Sequence, residues 1–124
     1  MKKVVIGWRT FDIACIKIAE WAKEKGFKNV YGIPRGGLVV AIKLSHLLDI
    51  PLTFRLSKNT LVVDDIVDSG KTLRKYKKYK TATIYKQVNC PISPSFHVYN
   101  NFNFIVFPYE TYKTAKVNYL RVKK

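Results

Sequence analysis

Asp64, Asp65 and Asp68 stand within five positions of a chain that has only eight acids against 23 lysines and arginines. They belong to the stretch VVDDIVDSGKT (62–72), and Ser69, Gly70, Lys71 and Thr72 follow them directly. Two chemistries adjoin here. Neighbouring carboxylates suit a sugar diol, directly or through Mg²⁺ and its waters. A Ser-Gly-x-Thr turn that opens a helix suits a phosphate: Gly70 permits close backbone approach, the exposed N–H groups of the turn face an anion, and Ser69 and Thr72 add hydroxyls. The nucleoside-triphosphate loop Gly-x-x-x-x-Gly-Lys-Ser/Thr is excluded, because Asp65 occupies the place of its first glycine and would repel a triphosphate. A ligand carrying both a diol and a phosphate satisfies the two ends.

A second anion cradle stands at YGIPRGGLVVA (31–41). Gly36 and Gly37 expose backbone N–H groups where a helix begins, and Arg35 offers a guanidinium fork for phosphate oxygens.

These groups need a scaffold. Thr10 is a plausible N-cap for a first helix, with Phe11, Cys15, Ile18 and Ala22 on one face and Gly26 beyond its end. KNVYGI (28–33) is a short strand and LVVAIKLSHLL (38–48) a largely buried helix. IPLTFRL (50–56) reads as a second strand, and TLVVDDI (60–66) as a third whose apolar run suits a central position. GKTLRKYKKY (70–79) can form a short helix and TATIYKQ (81–87) a fourth strand. This alternation predicts an α/β fold, an open parallel sheet flanked by helices, with Asp64 and Asp65 at a strand's carboxyl end, where such sheets bind ligands. Past residue 87 the chain turns rich in proline and aromatics. It reads as loops with one strand at 102–107 and a further one at 117–122, forming a small C-terminal cap. The expectation is a single domain over 1–124, with a core over about 1–89 and a cap over about 90–124.

Composition sets the bounds. With 48% hydrophobic and 14% aromatic residues the chain can bury a core. No apolar run reaches the roughly 18–20 residues of a membrane span, and the start does not read as a signal peptide. Cys15 and Cys90 are too few for a disulfide framework or a zinc site, so a cytoplasmic protein is expected. The net charge of +15 points to a polyanionic partner or simply to a lysine-rich surface. RKYKKYK (74–80) reads first as a solvated helix face with Tyr76 and Tyr79 turned inward, and second as a nucleic-acid patch. His46 and His97 lie outside every motif.

LVVDDIVDSGKTL (61–73) resembles the phosphoribosyl-diphosphate signature of type I phosphoribosyltransferases: hydrophobics, two acids, two hydrophobics, Asp, then Ser/Thr-Gly-x-Ser/Thr. The resemblance continues in order along most of the chain. It implies that Asp64 and Asp65 hold the ribose hydroxyls, and that Asp68, Ser69, Gly70, Lys71 and Thr72 cradle the 5′-phosphate. YGIPRGGLVVA is similar to the family's pyrophosphate loop, which assigns pyrophosphate to Arg35, Gly36 and Gly37 and leads one to expect a strained or cis peptide near Arg35–Gly36. NFNFIVFPYE (101–110) resembles the purine-side hood of the xanthine–guanine and hypoxanthine enzymes, and IGWRTFDI (6–13) looks like the start of the bacterial xanthine–guanine subgroup. The hood alignment has Phe104 stacking on the base and the Ile105 backbone contacting its edge; the alternative is a core strand with Phe104 packed inside. Glu110 falls where relatives carry an acid that helps hold magnesium, giving Asp64, Asp65 and Glu110 as the metal set. The lysine that reads the purine oxygen in relatives aligns with Lys86 or Gln87.

The resemblance implies an enzyme that transfers the phosphoribosyl group of phosphoribosyl diphosphate to a 6-oxopurine (guanine, xanthine or hypoxanthine) in purine salvage, using Mg²⁺. Arg35 would steady the departing pyrophosphate, and Asp68 would accept a proton near the purine N7. Family analogy adds a homodimer or homotetramer. One departure stands out: only RLSKNT (55–60) occupies the place of the family's long mobile lid. Cover could come from the 90–103 stretch or a neighbouring subunit. The alternative reading is a non-catalytic phosphoribosyl-diphosphate-binding regulator with a basic nucleic-acid-binding surface. A pyrimidine enzyme is a third reading, which the FIVFPYE hood disfavours.

Overall fold

The structure, a computed structural model, describes residues 3–115. Among these residues the main elements follow in the order β1 (Lys3–Val5), α1 (Trp8–Ala22), β2 (Asn29–Gly32), α2 (Gly36–Leu48), β3 (Thr60–Val67), β4 (Lys80–Gln87), β5 (Phe96–Asn101) and β6 (Phe104–Val106). A single 3-10 turn at Leu73–Tyr76 lies between β3 and β4. Strands β2-β3-β4-β5 form an all-parallel sheet in chain order. Strand β1 pairs in parallel with β6, Val4 opposite Ile105, as a separate two-stranded ribbon. This is the α/β architecture expected from the alternation of elements.

Strand periodicity divides the core. Leu61 and Val63 of β3, with Ala82 and Ile84 of β4, face α1 and α2, where they meet Phe11, Ile18, Val40 and Leu44. Val62 points to the opposite face, into a smaller cluster with Ile33, Val67, Leu73 and Cys90, edged by Tyr31, Leu56, Tyr76 and Tyr79. The two tyrosines of RKYKKYK thus turn inward, as expected. The face predicted for α1 holds, with Phe11, Cys15, Ile18 and Ala22 buried. Helix α2, expected to be largely buried, buries only the stripe of Gly37, Val40, Ala41 and Leu44, and leaves Ile42 and Leu47 exposed because no described element covers its outer side.

Several local expectations need correction. Helix α1 begins at Trp8 with Gly7 as N-cap, so Thr10 lies inside it. Tertiary anchoring sets that start: the Ile6 N–H donates to the Val106 carbonyl, which brings the chain to Gly7 already positioned for its first turn. The segment at 50–56 is not a strand. It makes one bridge, Leu52 beside Val30, secured by Val30 N–H to the Pro51 carbonyl and Thr53 N–H to the Val30 carbonyl. Residues 70–79 form one 3-10 turn where a helix was expected, since Leu73 is the only residue of that turn to be buried. Residues 96–101, expected as loop, form β5 against β4. The strand expected at 102–107 is the shorter β6, and the one at 117–122 falls outside the described residues.

Candidate functional site

The carboxyl ends of β2 and β3 meet at one cavity of about 430 Å³. Its walls come from four places in sequence. Asp64 and Asp65 are contributed by β3, and Asp68, Ser69, Gly70 and Thr72 by the turn that follows. Arg35 and Gly36 come from the start of α2, while Gln87 of β4 with Phe104, Ile105 and Glu110 of the C-terminal segment complete it. The sequence motifs therefore converge although they span 76 positions of chain, from 35 to 110. Three residues named with them stand off the lining: Gly37, Lys71 and Lys86 are not among the cavity walls.

Periodicity sends the two adjacent acids to opposite sides of β3. Asp65 continues the face of Leu61 and Val63 and lies against Gly36, where a Cβ would sit on its carboxylate, 2.5 Å from Cγ. Position 36 must therefore lack a side chain for α2 to approach the acidic strand. Gly37 is equally constrained, with a Cβ there 2.6 Å from the Val63 carbonyl oxygen. The peptide bond between Pro34 and Arg35 is cis, one bond earlier than the expected Arg35–Gly36 position.

Tyr109 ties the acidic strand to the C-terminal segment. Its hydroxyl donates to Asp65 Oδ2 at 2.7 Å. Its ring stacks on Phe107 (centroids 5.6 Å, 11° between planes) and meets Phe11 edge-on at 5.9 Å. The sequence reading missed Tyr109, because an aromatic after a proline carries no local mark of a partner 44 residues away. Asp64 Oδ1 accepts the backbone N–H of Asp65 at 2.9 Å.

Burial pushes the Asp64 carboxyl well above the usual range, and the neighbouring Asp65 charge pushes in the same direction. Burial also raises Asp65, opposed by the hydrogen bond from Tyr109. The Tyr109 phenol moves upward in turn, through burial and then the Asp65 charge. Among the described residues no three His, Cys, Asp or Glu side chains converge on one metal position. Glu110 Oε1 accepts the Phe107 N–H at 2.9 Å and so braces its own turn.

The turn after β3 is shaped by Gly70, which sits at φ +85°; a Cβ there would lie 2.6 Å from Ile92 Cγ1. Ser69 Oγ accepts the Lys71 N–H at 3.2 Å, and the Gly70 carbonyl accepts the Arg74 N–H at 2.9 Å. Gln87 Nε2 donates to the Asn103 carbonyl at 3.0 Å. Lys86 Nζ donates to the Cys90 carbonyl at 3.0 Å. The 90–103 stretch, considered as cover in place of a lid, supplies no cavity wall. Phe104 is half-buried and lines the cavity, so packing wholly inside the core does not describe it.

No family model matches the sequence, and no curated protein does. The fold does find relatives. A purine phosphoribosyltransferase from Pyrococcus horikoshii Ot3 has a TM-score of 0.81 at 30% identity, over 90% of this chain and 96% of that one. The xanthine-guanine-hypoxanthine phosphoribosyltransferase of Helicobacter pylori has a TM-score of 0.78 at 17% identity, over 97% of this chain and 99% of that one. A hypothetical protein from Neisseria gonorrhoeae with bound ppGpp reaches 0.64 at 16% identity, over 96% and 95%. The last two show likeness of fold alone. With the acidic strand, the glycine-bounded loop and the phosphate turn around one cavity, and a relative at 30% identity across nearly its whole length, the chain belongs to the type I phosphoribosyltransferases and resembles their purine members.

Proposed function

We propose that the protein transfers the 5-phosphoribosyl group of phosphoribosyl diphosphate to a ring nitrogen of a 6-oxopurine, releasing pyrophosphate, with Mg²⁺ as cofactor. One observation carries the reading: a single cavity is lined at once by the paired acids, the Ser-Gly-x-Thr turn, Arg35 with Gly36, and Phe104 with Ile105. Each part matches one portion of the two substrates.

Asp68, Ser69, Gly70 and Thr72 take the 5′-phosphate through turn N–H groups and hydroxyls. Asp64 and Asp65 take the ribose hydroxyls, and as adjacent carboxylates they would hold a divalent cation. Bound there, Mg²⁺ would neutralise charge developing on the leaving pyrophosphate. Arg35 adds its guanidinium to the pyrophosphate oxygens. Holding phosphate and hydroxyls together fixes C1 of the sugar toward the base. Asp68 accepts a proton from the purine as the bond to C1 forms. Phe104 stacks on the base and the Ile105 backbone meets its edge. Of Lys86 and Gln87, Gln87 lines the cavity. Its amide nitrogen, donating one hydrogen to Asn103, has a second for the purine 6-oxygen.

The test is incubation with Mg²⁺, phosphoribosyl diphosphate and, separately, guanine, xanthine, hypoxanthine and adenine, with nucleotide and pyrophosphate quantified. Nucleotide is expected with 6-oxopurines and not adenine, and Asp68→Asn should lower kcat by roughly 10²–10⁴-fold. If no base yields nucleotide while phosphoribosyl diphosphate still binds, the transferase reading fails and a binding protein remains.

A further inference from the structure

Charge on this chain is segregated. The segments 50–63 and 69–109 contain no Asp or Glu. They nevertheless carry eight exposed cations: Lys71, Arg74, Lys75, Lys77, Lys78 and Lys80 in one run, Arg55 and Lys58 in the other. The fold brings the two runs side by side. Leu56, Tyr76 and Tyr79 pack against the same small core cluster. Tyr31 bridges the runs, its ring 5.9 Å from Tyr76 and 6.4 Å from Phe54. At this junction Phe54 is 79% exposed, the most exposed large hydrophobic side chain described.

The reaction does not account for this surface. None of the eight cations lines the cavity; between Lys71 and Arg74 only the uncharged Thr72 and Leu73 do. A small-molecule substrate also gives no reason for a bare phenyl ring among positive charges. A second cavity, of about 170 Å³, opens on this side and is lined by Lys77, Tyr79, Ile92, Ser93 and Ser95 among others. It combines apolar walls with a cation and hydroxyls.

From this arrangement we infer that the surface formed by residues 54–58 and 71–80 binds single-stranded nucleic acid. Lysine and arginine side chains track a phosphate backbone, and an exposed aromatic ring stacks on unpaired bases. A duplex is a poorer fit, because its bases are already stacked and the surface offers only one 3-10 turn, no helix that could enter a groove. The binding does not depend on whether the cavity is catalytic.

Fluorescence anisotropy of the full chain with a labelled 20-nucleotide oligouridylate tests this, with a 20-base-pair DNA duplex, heparin and phosphatidylserine vesicles as comparisons. The single strand should bind more tightly than the duplex at equal salt. With about five of the eight cations on phosphates, the log–log salt slope should be near −3.5, a loss of roughly 100-fold between 50 and 200 mM salt. Phe54→Ala should weaken single-strand binding by about 5- to 100-fold and leave heparin binding unchanged. Lys75→Glu with Lys78→Glu should reduce the slope by about 1.4. Nucleotide formation, assayed in parallel, should be unaltered in both variants. Equal loss or no loss of heparin and oligouridylate binding in Phe54→Ala would overturn the inference in favour of a plain cationic surface. Tighter duplex binding would overturn it as well, and Phe54-dependent vesicle binding without single-strand binding would assign the surface to membranes.

Discussion

Removing one oxygen, in Tyr109→Phe, isolates the contact between the acidic strand and the C-terminal segment. The phenyl ring keeps its stacking on Phe107 and its edge contact with Phe11, so packing is preserved. What disappears is the 2.7 Å hydrogen bond to Asp65 Oδ2, on a carboxylate that is only 8% exposed. A bond to a charged, buried acceptor contributes about 1.5–3 kcal/mol, because the acceptor left behind has no water to replace the donor. For a chain of this size that corresponds to a fall in Tm of about 5–10 °C. Urea denaturation of wild type, Tyr109→Phe, Asp65→Asn and the double variant at neutral pH closes the cycle. A coupling of about 1–3 kcal/mol is expected, together with weaker phosphoribosyl diphosphate binding by calorimetry, since Asp65 loses its brace. A coupling below about 0.5 kcal/mol would refute the reasoning, because the hydroxyl would then contribute nothing specific to Asp65.

Gly36→Ala places a methyl on the Asp65 carboxylate, and the resulting overpacking should cost about 1–3 kcal/mol in urea denaturation and weaken phosphoribosyl diphosphate binding; wild-type behaviour in both assays would show that the loop yields freely. Cys15 is fully buried and its thiol is pushed up to about 12 from 9.0, by burial first and the Asp12 charge second. A raised pKa means the unfolded chain loses this proton first, so the stability is intact below pH 9 and is lost as pH rises toward 12. By pH 10 the loss is about 1.4 kcal/mol, and Cys15→Ala should show a shallower alkaline decline than wild type by that amount; parallel declines would refute the assignment.

What was legible in the sequence is what is encoded locally. The stretch 61–73 holds strand, acids and phosphate turn in one contiguous run, and β3 follows its pattern closely. Helix α2, an apolar run, and strands β2 and β4, rich in β-branched and aromatic residues, were equally plain from composition. Strand β5 was not. Its residues FHVYNN are half-exposed without alternation, and it exists because β4 offers an edge, a fact of tertiary structure. Conversely, 50–56 has the residues of a strand but gains only one bridge to Val30. The position of the cis peptide and the Tyr109–Asp65 contact were hidden for the same reason, since both depend on chain segments meeting in space. The cavity wall at Phe104 was read from likeness, and sequence did not distinguish Lys86 from Gln87, of which only Gln87 lines the cavity.

The pairing of β1 with β6 has a consequence for the order of events during synthesis. Strands β2 to β5 pair with their sequence neighbours, so each can dock as soon as the next emerges. Lys3 must wait for Phe104, about a hundred residues later, which at 5–20 residues per second is roughly 5–20 s. The half of the cavity built by β2, β3 and the phosphate turn can therefore take shape on the ribosome well before the half that holds Phe104 and Ile105. The nascent chain passes through a stage in which the acidic wall of the cavity stands without its aromatic wall, and β6, on arriving, both secures the amino-terminal strand and completes the enclosure.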